Sequence, residues 1–296
     1  MSKAMQLKAR ARNKAREYHI PAQAVLQSYF LERFLERISI SSYKDAFVLK
    51  GGLLIASMVG IDSRTTMDMD TTLRKIPFSE DVLVDILSKI CSIQLDDDTA
   101  FTFEYIKPIR EDDEYGGFRA SFIAQFETIT TPLKVDITTG DRITPNAIRH
   151  KFRSVFDEKA IDVWAYNLET ILAEKVETIL RRGIFNTRPR DFYDVYILLK
   201  TFPDTFSSKI FSDAFQATSE HRNSLHTSRD IENILDNIQN DKKMKQRWEQ
   251  YCKDNDFAKE ISFEAVLQVI FKVSSVLYNP SSKRTKIAYV NDRSIK

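Results

Sequence analysis

Glycine and proline are scarce. The chain has 7 glycines and 8 prolines in 296 residues, where average globular usage of about 7% glycine would give roughly 21. So few chain breakers favour long helices and short connections. Cysteine is scarcer still. Cys91 and Cys252 lie far apart, which excludes a disulfide framework and a zinc cage built on cysteine. Four histidines, His19, His150, His221 and His226, argue against a histidine-rich metal centre. No apolar run approaches the ~20 residues of a membrane helix. The opening MSKAMQLKARARNK lacks the apolar core of a signal peptide. The expected setting is a reducing cytoplasm with no membrane partner. Against these absences stand a 43% hydrophobic and an 11% aromatic share, enough to exclude general disorder. The length suffices for two packed units.

Charge of one sign is also lacking overall, with 44 basic against 42 acidic residues and a net charge of +2. The distribution is uneven. Lys3, Lys8, Arg10, Arg12, Lys14 and Arg16 open the chain, and Lys283, Arg284, Lys286, Arg293 and Lys296 close it. Arg181, Arg182, Arg188 and Arg190 form a third cluster. Such runs suit either solvated faces or a polyanionic partner.

Periodicity separates two kinds of chain. Up to residue 40 the pattern is helical, with Val25, Leu26, Tyr29, Phe30, Phe34 and Ile38 on one stripe after Pro21. A short apolar run, AFVLKGG, follows, and residues 79–94 read as a helix capped by Ser79. FTFEYI (101–106), GFRASFIAQF (117–126) and TPLKVDITT (131–139) alternate with period two, as strands do. From Asn167 to about residue 277 helical signals return, with amphipathic stretches at 190–200, 230–254 and 262–277. The reading is an α+β unit over 1–160 with a mixed sheet, a helical unit over 161–280, and a basic tail over 281–296.

The sharpest chemistry lies in RTTMDMDTTLR. On a strand, Asp68 and Asp70 would share one face while Met67 and Met69 take the other. Adjacent carboxylates repel unless a cation lies between them. A divalent ion such as Mg²⁺ takes such hard oxygen ligands and bridges to substrate phosphates; a polar, solvated strand face is the alternative. Asp136, in LKVDITT, is a third candidate ligand if its strand lies beside the first. Sixteen residues before Asp68 comes Lys50-Gly51-Gly52. Paired glycines imply a backbone that something approaches closely, and a phosphate at a helix N-terminus fits.

A second constellation lies in the helical part. Lys175 falls inside the apolar stripe of Leu168, Ile171, Leu172, Val176, Ile179 and Leu180, where a lysine is costly unless paired. It is either a structural ion-pair partner or a cation aimed at a phosphate or carboxylate. Asp191 and Asp194 fall in the first turns of the next helix, where the helix dipole favours acids anyway. Were these residues to face one cleft with Asp68, Asp70 and Asp136, the parts needed for phosphoryl or nucleotidyl transfer would be present.

FVLKGGLLI, RTTMDMDTTLR, KVDITTG and ETILAEKVETILRRGIFNTRPRDFYDVYILL, in this order, resemble the AbiEii/AbiGii-type toxins, the minimal nucleotidyltransferases of bacterial type IV toxin–antitoxin systems. The resemblance covers roughly residues 10–200. It implies a DNA polymerase β-like nucleotidyltransferase core, a following helical domain that contributes lysine and aspartate to the site, and Mg²⁺-dependent transfer from an NTP. It also implies that the acceptor can be the tRNA 3′ end, whose blocking stops translation, and that a cognate antitoxin is encoded nearby. Carried over, Asp68 and Asp70 match the metal-binding pair, Asp136 a third acid, Lys175 the catalytic lysine on the triphosphate, and Asp191 the base or lysine partner, with Asp194 as runner-up. Lys50, Gly51 and Gly52 fall in the first motif, and Arg190 belongs to the basic cluster expected nearest the acceptor. Family members often have Gly-Ser where this chain has Gly51-Gly52, so one hydroxyl is missing. Transfer of NMP or phosphate to a protein, and non-catalytic nucleotide or RNA binding, are the competing readings.

Overall fold

A computed structural model describes residues 2–109, 116–156 and 159–277. The basic tail over 281–296 falls outside the described residues. Two compact units divide the chain. The first comprises residues 1–141 and 147–166, the second residues 142–146 and 167–296.

The first unit begins with α1 (Lys3–Tyr18) and α2 (Ala22–Ile40). It continues with β1 (Phe47–Lys50), α3 (Gly51–Val59), β2 (Met69–Leu73) and α4 (Glu80–Cys91). It ends with β3 (Thr99–Ile109), β4 (Gly117–Phe126), β5 (Ile129–Thr139), β6 (Ile148–Arg153) and β7 (Ala160–Ala165). The seven strands form one sheet in the order β3-β4-β5-β2-β1-β7-β6. Pairs β2–β5 and β1–β7 are parallel and the other four antiparallel. This is a mixed sheet with helices, an α+β architecture.

The core is built where apolar faces meet. On α2, Phe30, Leu31 and Phe34 are fully buried, and the rings of Phe34 and Phe122 of β4 stand 4.6 Å apart. Arg37 ends this helix and is 1% exposed. Its guanidinium grips Asp97 with two bonds of 2.8 and 2.9 Å and also donates to Thr99 O and Ile93 O. A buried cation tolerates that position because every donor direction finds an acceptor.

Three strands go beyond what alternation shows. β1 is buried at all four residues, so it carries no period-two signal. β6 buries only Phe152 among its six residues, as a polar edge strand does. β7 pairs with β1 through Val48–Trp164 and Leu49–Ala165, and Tyr166 N donates to Leu49 O. Those bonds carry the first unit on to Tyr166.

The second unit holds α5 (Leu168–Arg182), a 3₁₀ turn (Gly183–Phe185), α6 (Pro189–Thr201) and α7 (Ser208–His221). α8 (Ser228–Asn240), α9 (Lys242–Asp254) and α10 (Phe263–Ser275) complete it. Asn167 caps α5 by accepting from Thr170 N. Its amide donates to Thr144 O and Asn146 O, which is why 142–146 belong with the helices. The amphipathic stretch 230–254 is two helices. Asp241 ends the first and caps the second, accepting from Met244 N at 2.8 Å. No helix among the described residues is long and apolar enough to cross a membrane.

Candidate active site

The register of the first unit assembles one row of charges. Lys50 lies opposite Asp70, Asp70 opposite Asp136, and Asp136 opposite Arg119. Residues directly opposite in a sheet share a face, so β1, β2, β5 and β4 present cation, acid, acid, cation in a line. The outer cations have partners of their own. Arg119 forks onto Asp136, with Nε–Oδ1 and Nη2–Oδ2 both 2.7 Å. Lys50 is buried and donates to Thr138 Oγ1 at 2.7 Å and to Asp141.

Asp141 shows the strength of that pairing. Burial works to raise its pKa, yet the charge and hydrogen bond of Lys50, with bonds from Thr138 and Thr72, hold it well below the usual carboxylate range. Thus Lys50 acts on Thr138 and Asp141, while Asp136 is held at both oxygens by Arg119.

Asp68 and Asp70 are half-buried. The strand begins only at Met69, so Asp68 sits in the turn before it. Met67 and Met69 do not share a buried face, since Met67 is 50% exposed and Met69 fully buried. Asp68 is fixed by Thr66, whose hydroxyl donates to its Oδ1 at 3.0 Å. Among the described residues no group of three or more His, Cys, Asp or Glu is arranged to hold a metal.

The paired glycines are explained by these acids. Gly51 opens α3 at φ +66°, and a Cβ there would stand 2.1 Å from Asp70 Oδ2. At Gly52 a Cβ would stand 2.7 Å from Thr66 Oγ1. What closes on the Gly-Gly backbone is therefore the side chains of Asp70 and Thr66. The helix start also favours the negative charge of Asp70.

The second unit carries its own charged group. Lys175 is 13% exposed in its side chain, and its Nζ stands 2.7 Å from both Asp191 Oδ1 and Asp194 Oδ2. Asp191 and Asp194 are 1% and 0% exposed. Arg188 adds an ion pair to Asp191 Oδ2 at 3.0 Å. Pro189 at the first position of α6 places both acids in its opening turns. Arg190 is exposed and pairs with no other described residue.

Sequence reasoning missed Arg119, Thr66, Thr138 and Asp141. Asp141 had a signal, since it follows the strand of Asp136 directly across Gly140, which has φ +77°. Arg119 had only its place on the polar phase of GFRASFIAQF. Lys134, on the polar phase of β5, is exposed, whereas Asp136 and Thr138 of that phase are buried.

Residues 33–269 match the family described as nucleotidyl transferase AbiEii toxin, type IV TA system. The chain belongs to this family. It is thus a nucleotidyltransferase toxin of a type IV toxin–antitoxin system, and membership implies a cognate antitoxin. The match runs well past residue 200, where the resemblance in the four motifs ends, and takes in most of the helical unit. No curated protein sequence matches the chain. Among solved structures, it is similar to a candidate nucleotidyltransferase from H. pylori, at 13% identity and TM-score 0.47, covering 89% of this chain and 98% of that one. JHP933 from Helicobacter pylori aligns at 15% identity and TM-score 0.46, covering 87% and 95%. An antigenic nucleotidyltransferase-like protein from Paracoccidioides brasiliensis aligns at 14% identity and TM-score 0.39, covering 71% and 92%.

Proposed function

We propose that this AbiEii toxin is a Mg²⁺-dependent enzyme in which a hydroxyl at the 3′ end of tRNA attacks the α-phosphorus of an NTP, the bond to the β-phosphate breaks, and pyrophosphate leaves, so that the added nucleotide blocks translation. The observation that carries the reading is the half-buried Asp68–Asp70 pair beside the glycine start of α3.

The donor set fits a divalent ion. Mg²⁺ takes one or two protein carboxylates and fills its other positions with water and substrate phosphate. Asp68 and Asp70 would supply two hard oxygen donors, and Asp136 would join them only on release from Arg119, which holds both of its oxygens. When bound, such an ion neutralises charge on the reacting phosphate. The protein's own residues do the rest. Thr66 orients Asp68 through its hydroxyl. Gly51 keeps the space that Asp70 fills. Lys50 and Asp141 lock the end of β1 to the turn after β5. In the second unit, Lys175 is the candidate donor to phosphate oxygens, Asp191 the candidate base or lysine partner, and Asp194 the runner-up. Arg190 contributes to acceptor binding.

The test is a labelling assay with Mg²⁺ and each NTP carrying ³²P at the α or the γ position, given total tRNA or cell protein. The reading expects α-label on tRNA from one NTP, absent in Asp68→Asn. Label on protein would move the acceptor, γ-label would make the reaction phosphoryl transfer, and NTP binding without transfer would favour a non-catalytic role.

A further inference from the structure

The turn between α5 and α6 displays an aromatic ring that is largely exposed. Phe185 is 80% exposed, the most exposed of the large hydrophobic side chains among the described residues, and its neighbour Ile184 is 37% exposed. Burying a phenylalanine is worth about 1.5–3 kcal/mol, so an exposed one gains nothing from folding. The turn is nevertheless built to hold its shape. Arg247 of α9 donates to Ile184 O at 2.9 Å and Asn186 O at 3.0 Å, on either side of Phe185. Buried Asn186 accepts from Arg188 N at 2.8 Å, and its own N donates to Gly183 O. These bonds satisfy the backbone of a connection that would otherwise be mobile.

Basic residues outnumber acidic ones in the chain segment around the ring. Arg181, Arg182, Arg188 and Arg190 flank it within ten residues of sequence, and Arg247 is bonded to the turn's carbonyls. Arg181 and Arg188 are partly engaged, with Glu177 and Asp191. Arg182 and Arg190 pair with no other described residue. An exposed aromatic on a hydrogen-bonded turn, with these two arginines a few residues away on either side, has the chemistry of a base-stacking platform, in which cations meet the backbone phosphates and the ring takes a base.

We propose that Phe185 stacks an unpaired base of a single-stranded RNA whose phosphates are met by Arg182 and Arg190. The inference rests on the reading that the acceptor is an RNA end, and it assigns the contact that recognises single-stranded character. Stacking of this kind tolerates any base, so the turn supplies affinity and leaves acceptor identity to other contacts.

The test is binding without NTP, so that it does not depend on transfer. The full chain is titrated with a short single-stranded RNA whose 3′-terminal base is 2-aminopurine, and its fluorescence is followed. Phe185→Leu and Phe185→Ala should each weaken binding about 5- to 100-fold, in line with the cost of removing a stacking aromatic. Phe185→Trp should keep the affinity and quench its own added fluorescence. Arg190→Ala should reduce the salt dependence by about one phosphate contact. Circular dichroism of each variant should match the wild type, since the ring is exposed. RNA binding equal to wild type in Phe185→Leu would overturn the proposal, as would absence of RNA binding by the wild type. Loss of antitoxin binding with RNA binding intact would also overturn it and make the turn a protein-docking face. If label transfer to tRNA persists in any of these cases, only the stacking role fails and the transferase reading stands.

Discussion

The two units handle acidic side chains in opposite ways. In the first, Asp68 and Asp70 stand half-buried at the start of a strand, placed by sheet register and by a helix start that has no side chains. In the second, Asp191 and Asp194 are buried on one helix and share a single lysine from another. The first arrangement leaves both acids partly exposed to solvent. The second already contains its cation, held by two carboxylates with little rotational freedom. The same residue type is thus held in two different ways, and burial goes with the difference.

The largest effect should come from breaking the buried group. Lys175→Met leaves two buried carboxylates without their lysine, which should cost about 3–5 kcal/mol. Urea denaturation would measure it, and transfer activity should be lost with it. Asp68→Asn should do the reverse. Transfer should fall on the order of 10²–10³-fold, while stability changes by under about 1 kcal/mol, read by the same denaturation and by the labelling assay. That contrast is the sharpest expression of the difference between the units.

Asp141→Asn probes the locked end of the strand row. Asp141 is held below its unfolded pKa, so the folded state binds fewer protons than the unfolded one, and its contribution is complete well above that unfolded value. The variant should lose about 1–3 kcal/mol at neutral pH. The gap from wild type should shrink as pH falls below about 4, measured by denaturation over a pH series. Gly51→Ala should cost stability by about 1–2 kcal/mol from its positive φ alone, less than the loss of Lys175. Because its methyl would collide with Asp70, activity should fall further than stability does.

Much of this was readable in the residues. The period-two runs of β3, β4 and β5 and the apolar stripe of α2 declared themselves in the sequence, although α2 proves to be buried on nearly every side, its polar residues included. β1 and β6 did not, one being buried throughout and the other almost nowhere. The acids were legible by spacing, and Lys175 by its place inside an apolar stripe. Their partners were not. That Arg119 takes Asp136, and Asp141 takes Lys50, depends on which strands lie side by side, and alternation within one strand carries no such information. The glycine pair signalled a close approach, but only the fold shows that Asp70 and Thr66 make it. Family membership, by contrast, followed from motif order without any knowledge of these contacts.

The most direct measurement is Mn²⁺ binding, followed by electron paramagnetic resonance with the α,β-imido analogue of each NTP in turn. It compares wild type with Asp68→Asn, Asp70→Asn and Asp191→Asn. The account predicts that the bound-ion signal disappears in the first two variants and persists in Asp191→Asn. A bound ion surviving the loss of Asp68 and Asp70, or vanishing with Asp191 alone while that variant remains folded, would contradict it.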